Sequence, residues 1–191
     1  MKKRVFIIHG WSGHPGEGWL LWLENTLKNS GYEVLAPQMP NTDKPRIDEW
    51  VNFLDKLVDK PNKNTFFVGH SIGCQTIVRY LEKIYGKVGG AVFVAGWFDL
   101  IGLETEEEKI IAKPWIESPI NFEKVKKTTN NYLVILSDND PVVELASNKK
   151  IFEEKLGAKV IVKKEAEHFN EVATIPEIVE FIQDKQRAGA P

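Results

Sequence analysis

The 191 residues suffice for one domain, 1–191, and a chain this long buries about 70% of the surface its unfolded form exposes, so it needs no disulfide or metal staple. Hydrophobic residues make up 42% and charged residues 27%, and a formal net charge of −2 argues against the basic, phosphate-neutralising surface of a nucleic-acid binder. A single cysteine, Cys74, excludes an intramolecular disulfide and fits a reducing compartment.

The first apolar run, residues 5–8, follows Lys2-Lys3-Arg4 and stops at His9-Gly10. A signal peptide needs roughly 7–15 apolar residues at that point, so the run reads as a buried strand. No later window approaches the ~18 apolar residues of a membrane span, and the expected location is the cytoplasm. Further short apolar runs recur at 33–35, 65–68, 91–94, 132–136 and 159–162. Several are apolar on consecutive residues, as strands covered on both faces require. Between them, apolar residues three and four apart predict helices over 18–28, 47–58, 72–85, 142–156 and 175–187. This alternation predicts an α/β fold with a mainly parallel sheet of about six strands and helices on both faces. In such sheets ligands bind beyond the carboxyl ends of the strands, so the residues after each run are where chemistry is expected.

After the third run stands Gly69-His70-Ser71-Ile72-Gly73. G-x-S-x-G is the pattern of a nucleophile elbow, a sharp strand-to-helix turn that presents a serine hydroxyl above the sheet. Side chains two before and two after that serine would collide with the neighbouring strand and helix, and glycine removes them. With six serines and 14 glycines in the chain, chance supplies about 0.03 such matches. A serine hydroxyl needs a base, and the base an orienting acid. Of the four histidines, only His168 lies after Ser71 and outside the elbow, just beyond the last strand. The acid is expected after the strand 132–136, in Ser137-Asp138-Asn139-Asp140-Pro141, where spacing leaves Asp138 and Asp140 both open. Either could instead cap a helix starting near Pro141. Backbone N–H donors for an oxyanion are expected from Ile72, the residue after the serine, and from Trp11 in the loop His9-Gly10-Trp11-Ser12-Gly13.

From Arg4 to about Ile182, the chain resembles the retinoblastoma-binding protein 9 family of small serine hydrolases. The resemblance rests on His9-Gly10-Trp11, Gly69-His70-Ser71-Ile72-Gly73, Ser137-Asp138-Asn139-Asp140-Pro141 and Glu167-His168-Phe169. It implies an α/β-hydrolase fold. It also selects the aspartate directly before the proline, Asp140, as the acid beside Ser71 and His168. The retinoblastoma-pocket motif Leu-x-Cys-x-Glu is not matched, because Cys74 has Ile72 two before it and Thr76 two after.

The remaining features read as structure. Cys74 and the pair Trp19 and Trp22 are expected in the core, whereas Trp97 and Phe98 follow the fourth strand and divide evenly between core and pocket lining. The acidic run 104–108 suits the first turn of a solvated helix. No metal-ligand or phosphate-binding spacing occurs, and no cofactor is expected. Between 96 and 131 there is room for only one or two short helices, near 100–112 and 121–127, which implies a minimal or absent lid and an open, shallow site. The expected activity is hydrolysis of small acyl esters, with amides and carbon–carbon bonds as other substrates of the same residues. The competing reading is a silent binding or scaffold protein that keeps the fold.

Overall fold

The computed structural model describes residues 2–184. Six strands form one fully parallel sheet: β1 (Arg4–Ile8), β2 (Glu33–Leu35), β3 (Thr65–His70), β4 (Gly90–Val94), β5 (Tyr132–Ser137) and β6 (Lys159–Lys163). Their spatial order is β2-β1-β3-β4-β5-β6. The chain runs outward from β1 to β2, then returns past β1 to β3. The order therefore reverses between β1 and β3, and a crevice opens at the carboxyl ends of these two strands.

Alternation along each strand builds two cores, one on each face of the sheet. Phe6, Ile8, Phe67 and Phe93 point to one face, with α2 (Ile47–Val58), α3 (Ile72–Lys83) and α5 (Phe122–Thr128). Val5, Ile7, Val68 and Val92 point to the other, where Trp19, Leu23 and Leu27 of α1 (Gly18–Asn29) meet Ile178 and Ile182 of α7 (Pro176–Gln183). Trp19 is buried and Trp22 only half-buried against this second core. The expected helix over 175–187 is seen as α7, and residues 185–187 lie outside the described residues.

Two helices depart from their expected bounds. The lid helix α4 spans Glu106–Glu117 rather than 100–112. Thr105 caps it, with its side chain accepting from Glu108 N–H and the Glu108 carboxylate accepting from Thr105 N–H. This reciprocal T-x-x-E cap fixes the start, and Pro114 is carried within the helix. The helix expected over 142–156 begins as α6 at Leu145 and ends in a π-helical turn, Phe152–Leu156. Residues 142–143 are diverted because their amides bond the Asp140 side chain, and the Glu144 side chain then caps α6. Among the described residues no helix is long and apolar enough to cross a membrane.

Candidate active site

The third strand turns into α3 at Ser71, whose φ is 51° and ψ −120°. A non-glycine residue here is strained at a cost of about 1–3 kcal/mol, held only by its surroundings. The turn is braced by Ser71 N–H donating to Val94 O at 2.9 Å and Cys74 N–H donating to Ser71 O at 2.9 Å. A Cβ on Gly69 would lie 2.7 Å from the Cys74 nitrogen, and one on Gly73 would meet the Ile8 and His9 carbonyl oxygens. Both glycines are thus demanded by close backbone approach. Cys74 is buried, with its thiol pushed up by loss of solvent. It is a packing residue there, since a nucleophilic cysteine needs a lowered thiol pKa.

Ser71 and His168 line one cavity of about 630 Å³, together with Trp11 and Ile72. The Asp140 side chain, 1% exposed, lies behind His168. Its Oδ2 accepts from His168 Nδ1 at 2.8 Å. Its Oδ1 accepts from Val142 N–H at 2.9 Å and Val143 N–H at 3.0 Å. The carboxylate therefore orients the imidazole and caps a turn at once. With Nδ1–H given to Asp140, His168 Nε2 is left as the ring's acceptor. Asp138 has a different partner: its Oδ1 accepts from Glu165 N–H at 2.8 Å. Ile72 opens α3, so its amide has no carbonyl one turn back to bond.

Beyond the candidate triad and oxyanion donors, Trp97, weighed from the sequence between core and pocket lining, and the histidines His70 and His9 bear on the site. The indole N–H of Trp97, which is buried and lines the cavity, donates to Ser71 Oγ at 3.4 Å. The Trp97 carbonyl is in turn held by Gln75 Nε2 at 2.7 Å. Phe98 does not line this cavity and packs on Phe122 and Phe152 instead. His70 donates from Nε2 to the His168 carbonyl oxygen at 2.8 Å, and its ring centre is 5.2 Å from that of His168. Burial, reinforced by the neighbouring His168, pulls the His70 imidazole down to about 3, so it stays neutral. His9, also buried and held low chiefly by desolvation, donates from Nδ1 to Gly10 O at 2.8 Å and accepts Met39 N–H on Nε2 at 3.0 Å. This clamps the Trp11 loop to the segment after β2. The available signal was a polar residue closing an apolar strand, which must find partners once buried.

The cap is small yet present. Leu103 and Thr105, just before α4, and Ile111 within it supply part of the cavity wall. The segment is a minimal lid, as the short connection implied, and it walls part of the cavity.

The serine hydrolase family model matches residues 5–180. The chain belongs to the serine hydrolase family. This serine hydrolase is 29% identical over 154 residues to YdeN of Bacillus subtilis (strain 168), whose name assigns it only to the hydrolases; the match spans 79% of this chain and 78% of YdeN. The crystal structure of the B. subtilis ydeN gene product has a TM-score of 0.85 at 24% identity, over 95% of this chain and 100% of that one. Est1E from Butyrivibrio proteoclasticus, solved with ferulic acid bound, has a TM-score of 0.70 at 16% identity, over 95% of this chain and 86% of its own. The monoacylglycerol lipase of Paleococcus ferrophilus has a TM-score of 0.64 at 17% identity, over 86% and 85%. These likenesses establish the α/β-hydrolase fold for the serine hydrolase.

Proposed function

We propose that this hydrolase is a carboxylesterase for small acyl esters, with Ser71 as nucleophile, His168 as general base and Asp140 as the carboxylate that orients it. The observation carrying this reading is the 2.8 Å bond from His168 Nδ1 to Asp140 at the edge of the cavity that Ser71 lines. His168 Nε2 takes the Ser71 hydroxyl proton as Oγ attacks the ester carbonyl carbon. The amides of Ile72 and Trp11 receive the oxyanion, aided by the positive end of α3. Collapse expels the alcohol, which leaves with the proton from His168, and a water activated the same way frees the acid. In the present conformation Ser71 Oγ accepts from Trp97 and makes no hydrogen bond to His168, and that bond forms as substrate displaces the indole contact.

The apolar wall of Trp97, Leu100, Leu103, Ile111 and Val142 supports an uncharged acyl group as the part bound most closely. The likeness to the retinoblastoma-binding protein 9 group belongs to the same reading, supported by His168-Phe169 and by Asp140 directly before Pro141, without that group's pocket-ligand motif around Cys74. Hydrolysis of p-nitrophenyl butyrate by the wild type and by Ser71→Ala tests the proposal. The substitution should lower kcat on the order of 10⁴–10⁶-fold and abolish labelling by a fluorophosphonate. Turnover or labelling that survives in Ser71→Ala overturns it.

A further inference from the structure

The hydrogen bonds around His168 form a pattern that reaches beyond Asp140. Strands β5 and β6 are parallel neighbours in register, with Ser137 opposite Lys163. The two loops that leave them therefore run side by side. Asp138 N–H donates to Lys163 O at 3.0 Å, which carries the pairing past the strand end. From there, side chains of one loop take over as acceptors for the other. Asp138 Oδ1 accepts from Glu165 N–H at 2.8 Å. Ser137 Oγ accepts from Ala166 N–H at 3.1 Å. Asn139 Oδ1 accepts from Glu167 N–H at 2.8 Å. Asp140 Oδ2 accepts from the His168 ring at 2.8 Å. Four consecutive side chains thus hold four consecutive residues. The rungs are cross-linked, because the Ser137 hydroxyl donates its proton to Asn139 Oδ1 at 2.8 Å.

The held loop has an unusual backbone. Glu165, Glu167 and Phe169 have φ of 53°, 47° and 62°, three positive values on alternate residues, none of them glycine. Such a conformation persists only where the surroundings over-determine it. The ladder does so from one side, and from the other His70 donates to the His168 carbonyl at 2.8 Å. An ordinary surface turn needs neither. The only residue of the loop whose side chain enters the ladder is His168, so the whole device sets where that imidazole stands.

We infer that Ser137, Asp138 and Asn139 are positioning residues for His168. They act through the backbone of residues 165–167 and keep the imidazole in line with Asp140 and facing the cavity. This rests on the esterase reading for its kinetic consequence but not for its structural one. Asn139 is exposed and Ser137 buried, so Asn139 is the gentler site to change. Asn139→Ala removes the acceptor for Glu167 N–H and for the Ser137 hydroxyl. Asn139→Asp restores an oxygen at the same place.

The experiment compares wild type, Asn139→Ala, Asn139→Asp and Ser71→Ala by p-nitrophenyl butyrate kinetics, thermal unfolding and the low-field proton NMR signal of the His168 Nδ1–H. In Asn139→Ala, kcat should fall on the order of 10–10²-fold with KM little changed, as expected when a catalytic group is displaced by a fraction of an ångström to an ångström. The low-field signal should broaden or vanish while the protein remains folded at the assay temperature, and Asn139→Asp should recover both readouts. An unchanged kcat and an intact low-field signal in Asn139→Ala overturn the inference while leaving the Ser71 result untouched. A loss of rate that only tracks unfolding overturns it as well. If the wild type cleaves no ester and takes no fluorophosphonate, the esterase reading fails by itself, and the NMR signal still decides the ladder.

Discussion

Two histidines with ring centres 5.2 Å apart are set to opposite tasks by their surroundings. His70 is enclosed, kept neutral, and fixed as an Nε2–H donor to a carbonyl. His168 faces the cavity, is 16% exposed, and has a carboxylate on Nδ1. The same contrast separates the two aspartates. Asp138→Asn keeps an oxygen for Glu165 N–H and should stay close to wild-type kcat. Asp140→Asn has one oxygen where two are used, toward His168 and toward Val142 and Val143. It should lose kcat on the order of 10⁴-fold, as a carboxamide presenting N–H enforces the wrong tautomer. Steady-state kinetics of the two variants side by side check this, and equal losses would remove Asp140 from its role. Spacing could not separate Asp138 from Asp140, because both lie in one turn-forming run, and only the partner across space differs.

At the scale of elements, α3 and α4 were unequally legible. α3 follows from its glycines and its apolar spacing, and it is found over Ile72–Lys83 where 72–85 was expected. The bounds 100–112 lie too early for α4, whereas the acidic run 104–108 falls on its first turn, and the Thr105 cap sets the start. That cap is legible in the chain as T-x-x-E, Thr105 to Glu108. Thr105→Ala should destabilise α4 by about 0.5–2 kcal/mol. Because Leu103, Thr105 and Ile111 wall the cavity, KM should rise while kcat holds. Thr105→Ser should recover the wild-type value. A kcat loss without a KM change would mean that α4 contributes to the chemistry and not to the wall.

At the scale of the whole molecule, the parallel sheet with two cores brings every candidate group to one edge. It also makes stability pH-dependent. His70 is neutral in the folded protein down to about 3 but takes up a proton near 6.5 when unfolded. Between those values the unfolded state binds more protons, so stability rises with pH and is lost as pH falls from 6.5 toward 3. His9, also lowered by burial, adds in the same direction. Melting temperatures measured across this range should fall with pH, and His70→Gln, which keeps an N–H donor without the titration, should flatten the slope. An identical slope in that variant would place the acid sensitivity elsewhere.

The sequence by itself determined the layer order, the strand runs and the elbow. These depend on periodicity, steric exclusion at Gly69 and Gly73, and the short-range logic of a strand turning into a helix. Tertiary structure decided which aspartate meets His168, that Trp97 reaches Ser71 while Phe98 does not, that His9 accepts from Met39 while His70 donates to His168, and that residues 137–140 grip the His168 loop. Each of these joins segments at least 26 residues apart. Burial patterns are written along the chain, but which loops lie side by side depends on strand order and register. The β5–β6 pairing that sets Ser137 opposite Lys163 exists only once the sheet has formed.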